Sequence, residues 1–64
     1  MTIIFIKVVG GEMYIPISSI SLIGKREHEY IANKIIYYIA CNNGYEITID
    51  KEEYKRIKKK LERL

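Results

Sequence analysis

Cysteine, histidine, proline and tryptophan are scarce in this sequence of 64 residues, which has one cysteine, one histidine, one proline and no tryptophan. The single cysteine, Cys41, cannot form an internal disulfide, and with His28 as the only histidine the usual Cys/His zinc sites are excluded. Chains below roughly 70 residues often need such reinforcement, because one small core leaves only a few kcal/mol of net stability. Association with another subunit is the reinforcement that remains.

Long hydrophobic runs and catalytic constellations are lacking too. The apolar run at residues 3–9 is too short for a membrane span and lacks the flanks of a secretion signal. Together with the unpaired thiol, this predicts a cytoplasmic protein. His28 lies between two glutamates, but neighbouring side chains in a loop do not converge, so we interpret it as a solvated loop residue. No serine elbow, Cys-His pair or facing pair of carboxylates is visible, and we expect neither an enzyme nor a cofactor or metal site.

Runs of β-branched and alternating residues predict five strands, at residues 2–9, 12–17, 20–24, 34–41 and 45–49. Gly10-Gly11 and Asn42-Asn43-Gly44 contain residues that tolerate positive φ angles in tight hairpin turns. Pro16 lacks a donor for the ladder and therefore belongs at an edge or a strand end. The charged run at residues 25–30 predicts an exposed loop or the tip of a hairpin between strands. The register of residues 18–34 stays open.

The last part of the chain predicts one amphipathic helix at residues 51–63. Asp50 can cap its first turn, and Glu53 can bond back to the amide of Asp50 in a capping box, while Ile49 and Tyr54 hold the positions of a hydrophobic staple. An apolar stripe follows, formed by Tyr54, Ile57, Leu61 and Leu64. The expected fold is a single α+β domain over residues 1–64, with an antiparallel sheet of four or five strands and one helix packed on one face.

The first and fourth strands are apolar on both faces, whereas one helix covers only one face of a sheet. The second face then needs a cover from outside the chain, which predicts a homo-oligomer packed sheet to sheet or edge to edge. A sheet that curls into a small barrel is the alternative. The candidate interface residues are Ile3, Phe5, Val9, Ile36 and Tyr38.

The net charge of +3 lies entirely on the last helix, where residues 50–64 hold seven bases and four acids. Bases on the side opposite the apolar stripe could contact phosphates. These candidates are Lys55, Arg56, Lys59 and Arg63. Acids in the first turn and bases afterwards also suit the dipole of any solvated helix, so a plain solvated face is the other interpretation.

The runs GGEMYIPISSISLI and YYIACNNGYEITI, followed by an amphipathic helix, resemble the order of elements in small bacterial regulatory β-modules. Two such families are the flagellar FlbD family and the LytTR DNA-binding domain. The resemblance is one of spacing and transfers no binding residue. The expected function is a non-enzymatic interaction module that binds itself and another protein, as an accessory subunit, a regulator or a phage-type inhibitor. Nucleic-acid binding through the helix is the alternative, and binding of a small anion at a subunit interface is a third.

Overall fold

The computed structural model describes residues 2–63 and contains two antiparallel sheets and one helix. In chain order the elements are β1 (Ile3–Val8), β2 (Gly11–Pro16), a short 3-10 helix (Ile17–Ser19), β3 (Ile20–Glu27), β4 (Ile35–Cys41), β5 (Glu46–Ile49) and α1 (Lys51–Glu62). β1 pairs with β2, and the second sheet has the order β3-β4-β5. The α+β class is confirmed, with the five strands divided between two sheets rather than joined in one.

Both predicted hairpin turns form, but the first lies one residue earlier than predicted, because Gly11 is the first residue of β2. Gly10 (φ 84°) is the second residue of the two-residue turn between β1 and β2, and Gly44 (φ 91°) ends the turn between β4 and β5. Positive φ values cost glycine little, because it has no Cβ atom. The Asn42 side chain donates to the carbonyl of Ser18, and the Asn42 amide donates to that of Ser19, both at 2.8 Å. These bonds join the second turn to the segment between the two sheets.

β3 is longer than predicted, because it continues to Glu27 and residues 25–27 pair with β4 instead of forming a loop. A register irregularity lies between Ile20 and Leu22. Such a bulge interrupts the two-residue alternation from which a strand is recognised in a sequence. The β3–β4 hairpin extends past β5, which pairs only with residues 37–40, and the molecule measures 40 × 23 × 21 Å.

The core lies between the inner faces of the two sheets and one side of α1. Among the described residues its buried hydrophobic side chains are all isoleucines, at Ile4, Ile6, Ile39, Ile49 and Ile57. The rings of Tyr37 and Tyr54 pack at its border with centroids 4.9 Å apart. Each sheet therefore buries one face and turns the other outward.

α1 begins where the sequence predicted, since the Asp50 carboxylate accepts a bond from the Glu53 amide at 2.8 Å. The return half of the predicted capping box is wrong, because the Glu53 side chain turns toward β1 and accepts from the Lys7 amide at 2.9 Å. The predicted apolar stripe is present over the described residues, with Ile57 buried and its neighbours packed against the core. Leu64, the last predicted member, lies outside the described residues.

Candidate interaction surfaces

The outer face of the β1–β2 sheet, which we call the hairpin face, is mainly apolar. Its apolar members form two adjacent cross-strand pairs, Ile3 with Pro16 and Phe5 with Tyr14. Ile3 is 51% exposed and Tyr14 65% exposed. The rings of Phe5 and Tyr14 lie 5.2 Å apart between centroids. Because neighbouring pairs on one face of a sheet touch, these four side chains form one continuous patch.

A pair of opposite charges borders this patch at the end nearest the β1–β2 turn. Lys7 and Glu12 are cross-strand partners in the register, and both are exposed. They follow the Phe5–Tyr14 pair on the same face because side chains of a strand alternate with a period of two. The hairpin face thus combines an apolar part with one base and one acid side by side.

The outer face of the three-stranded sheet, which we call the sheet face, has a covered centre. The side chain of Tyr38 packs against Gly24 so closely that a Cβ atom at position 24 would lie 2.9 Å from the Tyr38 hydroxyl oxygen. The guanidinium of Arg26 lies over the Tyr38 ring, 4.8 Å from its centroid, and donates to Glu46 at 2.8 Å. That bond raises the pKa of Arg26. Tyr38 is therefore largely covered and not among the exposed residues, whereas Leu22 beside it is 49% exposed.

The predicted interface residues are divided between these two faces. Ile3 and Phe5 lie on the hairpin face, and Ile36 and Tyr38 lie on the sheet face. Val9 lies on neither, because β1 ends one residue earlier than predicted and Val9 is in the turn, 94% exposed. Two sheets that share a core turn their outer faces in different directions, so one flat interface cannot contain all five residues.

Tyr14 is an exposed member of the hairpin face that the sequence analysis did not select. The available signal was its position in the second strand, two residues before Pro16, which lies on the same face as Tyr14. The cross-strand contact with Phe5 depends on the hairpin register, which follows from the two-residue turn at Val9 and Gly10.

Of the predicted phosphate contacts on α1, Lys55, Lys59 and Arg63 are exposed. Arg56 does not point away from the fold as predicted. Its guanidinium donates to both oxygens of Glu53 and to the carbonyl of Phe5. It also lies 5.8 Å from the centroid of the Phe5 ring. The sequence shows the spacing of three between Glu53 and Arg56, but it does not show that β1 lies beside them.

Glu53 and Arg56 close the free edge of β1. In an antiparallel pair, alternate residues direct their main-chain groups toward the partner strand and away from it. Phe5 and Lys7 direct theirs away from β2, and there the Phe5 carbonyl meets Arg56 while the Lys7 amide meets Glu53. Two side chains thus bond where a further strand would otherwise pair, which protects an exposed edge.

The electrostatics of this pair favour its charged form. The hydrogen bond from Arg56 lowers the pKa of the Glu53 carboxyl below its ordinary value, opposed by burial and aided by the Lys7 amide. The same bond raises the pKa of Arg56. Both groups therefore stay ionised at neutral pH.

An apolar groove of about 390 Å³ opens between the two sheets on the side of β2. It is lined by Met13, Ile15, Pro16, Ser19, Cys41, Asn43, Tyr45 and Ile47. The lining contains no Asp, Glu, Lys, Arg or His residue, and the volume falls in the usual range for binding clefts. Cys41 is half-buried and forms part of the groove wall.

The loop between β3 and β4 is organised by His28. Its Nδ1 atom accepts hydrogen bonds from the amides of Tyr30 and Ile31, both at 3.1 Å. His28 is half-buried, so the prediction of a simply solvated histidine misses its role in shaping this loop. Tyr30 at the tip is 89% exposed.

Comparison with protein-family models, with curated proteins and with solved structures found no match. The relation to FlbD or LytTR proteins therefore stays a prediction. Within residues 2–63, no helix has both the length and the apolar character needed to cross a membrane. Across the same residues, no three His, Cys, Asp or Glu side chains come together as potential metal ligands.

Proposed function

We propose that this chain is a non-enzymatic interaction module that self-associates through the hairpin face and, as a homo-oligomer, binds another macromolecule. The observation that carries the proposal is the apolar patch of the hairpin face, in which Ile3 and Tyr14 are exposed and Phe5 and Pro16 are half-buried, with Lys7 and Glu12 at its end. The hairpin face is favoured over the sheet face because Arg26 already covers the centre of the latter.

The charges of the hairpin face are complementary to those of a second copy. Consider a two-fold axis that lies between the faces of the two copies, parallel to the strands and over the midline of the hairpin. This axis would place β1 of each copy over β2 of the other. Lys7 would then face Glu12 of the second copy, and Phe5 would face Tyr14. A symmetric dimer requires such a self-complementary surface, and sheets packed face to face keep their strands nearly aligned.

Sedimentation of two matched variants tests which face associates. Ile3 on the hairpin face and Leu22 on the sheet face have nearly equal exposure, 51% and 49%. We expect the wild type to be dimeric at micromolar concentration, Ile3→Glu to sediment as a 7.6 kDa monomer, and Leu22→Glu to remain dimeric. A monomeric wild type, or dissociation by Leu22→Glu alone, would contradict the proposal.

Charge exchange tests the predicted symmetry itself. Lys7→Glu places like charges opposite each other across the two-fold axis and should weaken the dimer. The double variant Lys7→Glu with Glu12→Lys restores opposite charges and should recover association. If the double variant dissociates as strongly as the single one, this arrangement of the two copies is wrong.

Nucleic-acid binding by α1 is a second candidate, favoured by the exposure of Lys55, Lys59 and Arg63 on a helix that carries the net charge of +3. Replacing these three residues by glutamine leaves the contacts of Arg56 intact, which a variant of Arg56 would not. Fluorescence anisotropy with mixed DNA and RNA oligomers tests it. Submicromolar, strongly salt-dependent binding that the triple variant abolishes would favour this candidate, because phosphate contacts release counterions.

A further inference from the structure

We infer that the outer edge of β2, together with the apolar groove beside it, binds a short extended segment of a partner protein as an added strand. This site differs from the hairpin face in using the main chain of β2 and the space between the sheets, although Glu12 borders both. Addition of a strand to an open sheet edge is a general mode of peptide recognition.

The first support is that the outer edge of β2 carries unpaired main-chain groups. The amide of Ile17 donates to the carbonyl of Thr2, and this bond shows which residues of the hairpin direct their main-chain groups toward the partner strand. Ile15 and Met13 accordingly bond to β1, whereas Tyr14 and Glu12 direct their N–H and C=O groups outward. β2 has no second neighbour among the described strands.

The second support is that the corresponding edge of β1 is closed while that of β2 is open. Glu53 and Arg56 occupy the groups that β1 directs outward. Within the described chain, the one feature that hinders pairing at the edge of β2 is Pro16, the last residue of the strand. Its missing N–H group limits pairing to a few residues. The open edge therefore suits a short segment.

The third support is the groove directly beside this edge. Met13 and Ile15, the inward-facing residues of β2, form one wall, and Tyr45 and Ile47 form part of the other. An added strand places alternate side chains on the inner side of the sheet, so two of them would enter the groove. Its uncharged lining selects apolar side chains there.

Charge adds a further element to the specificity. Glu12 is exposed at the end of the edge, on the outer face. A base opposite Glu12 would be favoured and an acid disfavoured, since like charges directly opposite each other destabilise paired strands. The expected partner segment is thus extended, apolar at alternate positions and basic at the end that meets Glu12.

A partner segment fits this site better than a second copy of β2. Antiparallel pairing of two β2 edges about Tyr14 would set the Pro16 of each copy opposite Glu12 of the other, so two ladder bonds would be lost for want of an N–H group, whereas an added segment meets one Pro16 and loses one. It would also merge two unfilled grooves beneath the joined strands. An added segment fills one groove with its own side chains, and filled space is favoured over a void.

The probe for this proposal is the peptide acetyl-Thr-Val-Thr-Val-Lys-amide, offered to the full chain labelled with nitrogen-15. Paired antiparallel to β2, its valines face the groove opposite Ile15 and Met13, its central threonine pairs with Tyr14, and its lysine meets Glu12. We expect slower hydrogen exchange at the amides of Tyr14 and Glu12, and slower alkylation of the Cys41 thiol. The amides of Met13 and Ile15 should not change, because they already bond to β1.

Two control peptides separate main-chain pairing from simple apolar contact. Methylation of the central threonine nitrogen removes one hydrogen bond to the edge and should weaken binding by up to about tenfold. Replacement of the lysine by glutamate should weaken binding through repulsion by Glu12. Equal binding of the methylated peptide would show that no strand is added.

Three other results would overturn the proposal. The first is no binding of the peptide at about 1 mM, the weak end of measurable affinity. The second is binding that shifts groove signals without slowing exchange at Tyr14. The third is protection of the Tyr14 amide that rises with the concentration of the Ile3→Glu variant, which should not form the hairpin-face dimer, in the absence of peptide; this would assign the edge to a second copy. None of these results bears on the hairpin-face dimer, which sedimentation of the Ile3→Glu variant tests separately.

Discussion

Replacing Glu53 by alanine is the sharpest test of how α1 is held to β1. The change removes the carboxylate that accepts from the Lys7 amide and from the Arg56 guanidinium. Hydrogen bonds to charged groups contribute roughly 1.5–3 kcal/mol each when buried, but the Arg56 side chain is 35% exposed and exposed ion pairs contribute far less. We expect a loss of about 2 kcal/mol in the free energy of unfolding, or about 10 °C in Tm for a domain of this size.

Glu52→Ala is the matched control, because Glu52 lies in the same helical turn and is exposed. Both acids interact with the helix dipole, so the control removes that contribution without touching β1. Its cost should stay within about 0.5 kcal/mol, as for most surface substitutions. Urea denaturation followed by circular dichroism, at equal protein concentrations, measures both variants. Equal losses would refute the assigned role of Glu53.

The pH dependence of the same contact has a definite sign. The folded-state pKa of Glu53 is lowered, so its contribution is complete above the ordinary glutamate pKa of about 4.3. The contribution is lost as the pH falls through the lower folded-state value. The stability difference between the wild type and Glu53→Gln should therefore be constant near neutral pH and shrink in acid. A difference that is unchanged down to pH 3 would contradict this account.

Three further substitutions test local features of the fold by their effect on the free energy of unfolding. Asp50→Ala should cost about 1 kcal/mol by removing the cap of α1, and an unchanged denaturation midpoint would place the helix start elsewhere. Gly44→Ala forces a side chain into a positive φ conformation and should cost about 1 kcal/mol in thermal unfolding. Gly24→Ala should displace Tyr38, and it should lower the free energy of unfolding more in the wild type than in a Tyr38→Ala background. Equal losses in the two backgrounds would show that Gly24 and Tyr38 are not coupled by a contact.

Local signals in the sequence predicted much of the secondary structure. The glycines at positions 10 and 44 marked both tight turns, and Asp50 marked the start of α1, because each feature depends on neighbouring residues alone. The end of β3 was missed because residues 25–27 are charged and pair with β4 on a projecting hairpin, where solvent reaches both faces. Burial patterns carry little information about a strand in such a position.

The candidate surfaces were less predictable, because they depend on contacts between distant segments. The two-faced apolar pattern of β1 and β4 indicated uncovered faces, but it could not indicate that these faces belong to separate sheets. Arg56 illustrates the same difficulty. Its position on the helical wheel predicted a side chain that points to solvent. In the structure it bonds to the Phe5 carbonyl, which is close in space but 51 residues away in the sequence.

This long separation has a consequence for the order of folding. The turns at Gly10 and Gly44 bring near neighbours together, whereas the bonds from Glu53 to Lys7 and from Arg56 to Phe5 close loops of 46 and 51 residues. Closing a long loop costs more entropy than closing a hairpin, so the hairpins should form first and the junction of β1 with α1 last. Contacts made after the transition state affect the unfolding rate most. We therefore expect changes at Glu53 and Arg56 to act mainly on the unfolding rate, and changes in the hairpins to act mainly on the folding rate.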